Sequence, residues 1–341
     1  MNVRRGSCAL VVLFSLTVTV RVAESAAPFY EGKTIHVIVG QAAGGGFDTY
    51  TRTMARHMGK YIPGNPSIIV ENMTGAGSLI AANHLYKVAK PDGLTIGHFI
   101  GGLFLQQLLE KPGIEFDARR FEYLGVPAQD NTVMGISAAS GIASPEQWMA
   151  SKATVKFGGI GPGSAADDIP KVARAAIGLP IQLVTGYKGT AEIRLAFNSG
   201  EIHGLSSSWE SFKSTWTREL ESGALKIILQ AVVKRHPDLP DVPLIVEFAK
   251  TEEARHLIQV GIHNYGLTAR PYVLPPRVPK ERVQILRKAF MDTMGDPEFL
   301  ADAKKARLDI NPLSGDALEK TIAGIFKLDP SLVGKLKEIL K

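Results

Sequence analysis

"GQAAGGGFDTYTR", Gly40 to Arg52, follows the apolar run "IHVIV" and leads into a stretch with helical spacing. Three successive glycines are costly, because glycine loses the most backbone freedom on folding. Between a strand and a helix they let a ligand approach the backbone closely. The helix start then offers free N–H groups and the positive end of its dipole. Asp48 is placed to cap that helix, accepting an N–H two or three residues on. A nucleotide P-loop needs Lys and Ser/Thr after its last glycine, whereas Phe47 and Asp48 follow Gly46. The stretch reads as a cradle for a carboxylate-sized anion; the competing reading is a tight structural turn.

Strand-like and helix-like runs alternate outward from this turn. "TIHVIVG", "PSIIVEN" and "LTIGHF" are strand candidates, rich in apolar β-branched residues. Tyr50, Met54, Met58 and Ile62 recur at helical spacing, and "SLIAANHLYKVA" is a second helix. A further series follows in "NTVMGIS", "VKFGGIG", "AADDIPKVARAAIG", "IQLVTG", "GTAEIRLAFNSG", "IHGLSS" and "ALKIILQAVV", and a helical tail closes the chain. Such alternation predicts α/β layers with mostly parallel sheets.

The second series carries its own glycine turn, "KFGGIGPGSAADD". Gly161-x-Gly163-x-x-Ala166 formally matches a dinucleotide fingerprint. The acid expected about 20 residues on is missing, since the chain there reads "QLVTGYKG". What remains is another open helix start, with the Ser164 hydroxyl as a donor. Asp167 and Asp168 suit the first helical turn but repel an anion placed too close.

Arg4 and Arg5, the apolar run Ala9 to Val20 and the small residues of "RVAESAA" read as a signal peptide, predicting cleavage near Ser25–Ala27. Twelve apolar residues fall short of the roughly 20 a spanning helix needs. The one cysteine, Cys8, leaves with that peptide, so disulfides and thiolate metal sites are not expected. Cleavage removes three arginines and one glutamate and takes the net charge from +6 to +4. That charge is dispersed, unlike the clustered stripe of a nucleic-acid binder, and suits a small anionic ligand. Some 315 residues then remain, more than a single core usually serves, so two domains are expected.

Two cradles in two β/α series predict two lobes closing on one ligand. In order, "GKTIHVIVGQAAGGGFDTYTR", "IIVENMTGAGSLIAANHLYKVAKPDGLTIG", "FGGIGPGS", "GYKGTAEIRLAFNSGEIHG", "RHPDLPDVPLIVEF" and "PPRVPKERVQILRKAF" resemble the receptors of tripartite tricarboxylate transporters, the TctC or Bordetella-uptake-gene (Bug) family. The resemblance runs from about Pro28 to the C-terminus. It implies a periplasmic-binding-protein-like (type II) α/β fold, two lobes joined by a hinge with the ligand cleft between them. Its divisions are 1–26 signal peptide, 27–127 first lobe, 128–231 second lobe and 232–341 the return to the first. It implies a periplasmic, monomeric receptor for a small carboxylate that serves membrane transporter subunits. No catalysis, cofactor, metal or nucleic acid is implied. The family grips its ligand at the turn matching Ala43, Gly44, Gly45, Gly46 and Asp48, and closes from Gly161, Gly163 and Ser164. The family's usual serine is Gly159 here, its usual histidine is Asp167, and the proline of its P-Y-K-G turn is Gly186.

Thr74, Gly75 and Ala76 are candidates for a third cradle, against a simple capped turn. Tyr187 either meets the ligand or braces its turn, and Lys188 beside it is as readily a surface charge. Ser207, with Ser206 and Ser208, supplies candidate hydroxyl donors beside Trp209, which is equally a packing residue. His98 and Phe99 end the third strand and are candidates for the cleft wall. The histidines show no H-x-x-x-H spacing and no G-x-S-x-G elbow is present. An exported hydrolase using a serine of "GLSSSWE", or a receptor serving a sensor, are the alternatives.

Overall fold

A computed structural model describes residues 28–151 and 154–341. The expected signal peptide lies outside the described residues. Eleven strands form two sheets. They are β1 (Thr34–Val39), β2 (Ser67–Asn72), β3 (Thr95–His98), β4 (Glu122–Val126), β5 (Thr132–Ser137), β6 (Val155–Gly158), β7 (Ile181–Val184), β8 (Gly204–Ser208), β9 (Leu225–Gln230), β10 (Tyr272–Leu274) and β11 (Leu313–Ser314). The helices are α1 (Gly46–Met58), α2 (Leu79–Lys87), α3 (Leu103–Leu108), α4 (Pro145–Ala150), α5 (Ala165–Ile177), α6 (Thr190–Asn198), α7 (Trp209–Thr215), α8 (Thr217–Glu221), α9 (Glu252–Gly261), α10 (Lys280–Met294), α11 (Pro297–Lys305), α12 (Gly315–Ile325) and α13 (Pro330–Ile339).

The first sheet has the order β11-β4-β10-β3-β1-β2, the second β7-β6-β8-β5-β9. Each is covered by helices on both faces, so apolar side chains on both sides of the strands leave water. Tyr50, Met54 and Met58 of α1 join Leu286 and Phe290 of α10 on one face of the first sheet. Leu85 of α2, Phe104 of α3 and Leu318 of α12 cover the other. Around the second sheet, Trp148, Phe157 and Val172 form one core, and Phe197, Phe212 and Trp216 form another. The helical period read from Tyr50, Met54, Met58 and Ile62 holds, since all four are buried, with Ile62 just past the short turn that ends α1.

The expectation of mostly parallel sheets needs correcting. β2-β1-β3 and β7-β6-β8 are parallel, but β10 runs antiparallel to β3 and β4, and β5 runs antiparallel to β8 and β9. The antiparallel strands are those beside the crossings between sheets. The chain leaves the first sheet after β4 and enters the second with β5. It returns with β10, a three-residue strand too short to carry a periodic signal. Helix α9 packs on α5, and its Ala254, Leu257 and Ile258 join the second-sheet core. On that packing we propose that the chain through Ile262 belongs with the second lobe, together with α13, whose Leu336 joins the same core, and that the stretch between them returns to the first.

Candidate functional site

The lobes meet along the helix starts that follow β1, β6 and β7. The three glycines after β1 have separate tasks. Gly44 turns with φ +77°, Gly45 is the N-cap of α1, and Gly46 opens the helix. A Cβ on Gly45 would lie 2.9 Å from Thr190 Oγ1 at the start of α6 in the other lobe. A Cβ on Gly46 would overlap the Ser211 hydroxyl of α7 and lie 2.9 Å from Ser211 Cβ. These glycines thus let one lobe's backbone reach the other. Gly77 (φ +62°) and Gly161 (φ +147°) meet in the same way, a Cβ on Gly161 falling 3.1 Å from Gly77 Cα. Among the hydrogen bonds that cross the gap, Ala42 N–H donates to Lys188 O at 3.0 Å, and Gln106 Nε2 donates to Asp168 Oδ2 at 2.7 Å.

Between these contacts lies a cavity of about 30 Å³. It has room for a water or two, so a larger ligand enters only with the lobes apart. The starts of α1, α5 and α6 all reach it, through Gly45 and Gly46, Ser164 to Ala166, and Thr190. The caps of α1 and α6 are glycines without a side-chain hydrogen bond. First-turn amides have no carbonyl behind them, and the three helix dipoles put partial positive charge around one small space. Ser206, Ser207, Ser208 and Ser211 form the wall from β8 and α7.

Arg270, just before β10, is 1% exposed, and its guanidinium forms the floor. Its Nε is ion-paired with Asp130 on the other crossing segment, and its Nη2 donates to Ser208 Oγ at 2.6 Å and Ser211 Oγ at 2.7 Å. Its Cζ stands 4.7 Å from the Phe47 ring centroid and 4.9 Å from that of Tyr50. Burial is the largest single influence and opposes its charge, but Asp130, Tyr50 and Glu210 together outweigh it and hold the cation. Glu210 accepts from Asn131 Nδ2 at 2.7 Å; burial, then Asp130, pushes its carboxyl up to about 7.

Gly45, Gly46, Ser164, Ser206, Ser207 and Ser208, among the residues singled out in the sequence, line this cavity. The others lie around it. Ala43 lies in the turn beside Gly44. Asp48 accepts the Gly44 N–H at 2.9 Å, Arg52 Nε at 3.0 Å and Asn72 Nδ2 at 3.0 Å. It therefore caps backwards onto the glycine turn, not onto an N–H further along α1. Gly161 N–H donates to Asp167 Oδ2 at 3.0 Å, and Gly163 N–H to Asp168 Oδ2 at 3.1 Å. The protein's own carboxylates thus fill much of that second cradle. Thr74, Gly75 and Ala76 belong to the strained turn before α2, outside the cavity lining. Tyr187 donates its hydroxyl to Glu201 at 2.6 Å. His98 is fully buried between Phe47 and Tyr272, and burial pushes it down to about 3, so it stays neutral. Trp209 donates to Asp238 at 2.9 Å, away from the cavity. Arg270 and Asp130 escaped sequence reading: a lone arginine in "LTARPY" carries no spacing signal.

Among the described residues two groups have the makings of a cation site, His57 with Asp296 and Glu298, and Glu210 with His236 and Asp309. Lysines occupy their carboxylates: Lys60 Nζ lies 2.7 Å from Asp296 and Glu298, and Lys213 Nζ is 2.5 Å from Asp309.

The Gln106–Asp168 contact responds to pH. Asp168 is pushed up to about 7 by burial, with the Asp167 charge adding and Lys171 opposing. Its Oδ1 and Gln106 Oε1 are both buried without a hydrogen-bond partner, and both are acceptors while Asp168 is ionised. A proton on Asp168 supplies a donor. Folding into the closed arrangement therefore takes up a proton. Its stabilisation is fully present below the ordinary carboxylate value near 4 and erodes as pH rises to about 7. Asp130, Asp167 and Glu210, also raised by burial, act with the same sign, and Lys111 lies near enough to Asp168 to feel its charge. The ligand-free protein should scatter as a more compact particle at pH 5 than at pH 8, and Asp168→Asn should flatten that dependence. An unchanged slope in Asp168→Asn would remove this residue from the effect.

A family model described as the tripartite tricarboxylate transporter family receptor matches residues 51–336. Among sequence relatives, a UPF0065 protein encoded in the gbd 5' region of Cupriavidus necator is 24% identical over 323 residues, spanning 92% of this chain and 90% of that protein. Among solved structures, the periplasmic binding protein BugD superposes with TM-score 0.74 at 22% identity, covering 91% of this chain and 98% of its own. MatC of Rhodopseudomonas palustris with bound malate gives 0.70 at 18% identity over 91% and 99%. An R. palustris protein with adipate gives 0.73 at 20% identity over 90% and 97%. The shared architecture is the two-lobed periplasmic-binding-protein fold.

Proposed function

Because the chain belongs to the tripartite tricarboxylate transporter receptor family, we propose that this solute receptor captures a small carboxylate outside the cytoplasm and hands it to membrane transporter subunits. The observation that carries the ligand class is the convergence of three helix starts on one interlobe cavity. A carboxylate there can accept first-turn amide hydrogens of α1 and α6, whose caps make no side-chain bond, and the helix dipoles favour its charge. Malate and adipate, bound by two proteins of the same fold, supply starting probes. The leader-like segment at residues 1–26 supports export, and among the described residues no helix is long and apolar enough to cross a membrane. We take the periplasm as its site of action and the monomer as its working form.

Calorimetric titration with malate, adipate, citrate, glutamate and a neutral sugar tests this reading. One or more of the acids should bind at one per chain and be recovered unchanged. Sugar binding alone, or chemical turnover of the acid, would contradict it.

A further inference from the structure

We propose that Arg270 and Ser206 form the anion-recognising contact of the cleft, taking one carboxylate group of the ligand on the free Nη1 edge of the guanidinium. The proposal deepens the receptor reading and rests on it. Arg270 has five N–H groups. The one on Nε goes to Asp130 and the two on Nη2 to Ser208 and Ser211. The two on Nη1 are buried without an acceptor. Nη1 lies at the start of α1, 3.5 Å from where a Cβ on Gly46 would stand. Ser206 Oγ, in the lining of the same cavity, is likewise buried and unpartnered. Ser206 and Ser208 are two apart on β8, so their side chains project from the same face of the sheet, and Ser208 already bonds Arg270.

Two buried polar groups without partners beside one cavity are costly unless something else fills it. A water offers one oxygen and little charge. A carboxylate offers two oxygens, one for an Nη1 hydrogen and one for the Ser206 hydroxyl, beside a guanidinium whose position is fixed by Asp130, two serines and two aromatic rings, so binding need not order it. Asp130 neutralises Arg270 in the empty cleft, which lets the cation stay buried until the ligand arrives.

The test compares a carboxylate with its amide, because a merely structural role would weaken both alike. Wild-type protein is titrated with adipate and adipamide, and with malate and malamide. The acid should bind more tightly than its amide by roughly tenfold to hundredfold, the worth of one charge-assisted contact. Arg270→Met combined with Asp130→Leu removes both buried charges together, and there the preference should collapse towards one. Ser206→Ala should weaken acid binding with little change in melting temperature, and Arg270→Lys, which keeps the charge but loses the fork, should reduce the preference without abolishing folding. These two single variants keep the test alive if the double variant fails to fold. Should the wild-type preference persist in every variant, Arg270 serves only the fold and the cavity holds water, while the receptor reading stands. Should the wild type bind none of the acids titrated, citrate and glutamate included, both fall.

Discussion

Gly46→Val is expected to weaken ligand binding by roughly tenfold to hundredfold while leaving the ligand-free chain folded, the cost of overpacking a close contact. Gly46 lies in the first turn of α1 with ordinary helical geometry, so valine meets no backbone strain within its own lobe. The obstacle is across the gap. The new Cβ would occupy the space of the Ser211 hydroxyl and come within 3.5 Å of Arg270 Nη1. Opening the lobes relieves the Ser211 overlap, the severe one of the two contacts, so the variant keeps its core and loses the closed state. Thermal unfolding without ligand should stay near wild type while titration shows the weakened affinity. A collapse of the melting temperature with normal affinity in the surviving protein would make Gly46 a folding residue instead.

Asp130→Asn is expected to destabilise the protein by about 3–5 kcal/mol, the usual cost of stranding a buried charge. Asp130 and Arg270 are both nearly inaccessible, and each sits on one of the two segments that cross between lobes. Asparagine keeps the shape but removes the counterion of a cation almost wholly shielded from water in the closed form. Glu210 is the nearest substitute, yet its carboxylate is held by Asn131. Replacing both members by Leu and Met should recover most of the loss, since a well-packed apolar pair avoids the desolvation that the ion pair must overcome. Denaturant unfolding of the single and double variants separates these outcomes. Equal destabilisation in both would mean that packing, not charge, governs the crossing.

The parts of this protein that sequence reveals are those with local signals. β1, the glycine turn and α1 announce themselves through an apolar β-branched run, three glycines and Tyr50, Met54 and Met58 at helical spacing. Gly45, Gly46, Ser164 and Ser207 could be singled out because a glycine turn or a serine run ends a strand. Arg270 could not. Its partners Ser208 and Asp130 are 62 and 140 residues away, so only the tertiary fold makes it buried. The cross-lobe pair of Gln106 and Asp168 is hidden for the same reason, at a separation of 62 residues. The antiparallel pairings are hidden because β10 and β11 are too short for periodicity, and because β5, legible as a strand, takes its direction from where the chain crosses between lobes.

The central claim is that two lobes close on one small anion through glycines that let their backbones meet. Small-angle scattering of wild-type and Gly46→Val protein, each with and without a saturating acid from the titrations, tests it most directly. The wild-type radius of gyration should fall on ligand addition, towards that of the closed arrangement, while Gly46→Val stays expanded at the same ligand occupancy. A wild-type particle that binds the acid without contracting, or a Gly46→Val particle that contracts as fully, would contradict the account.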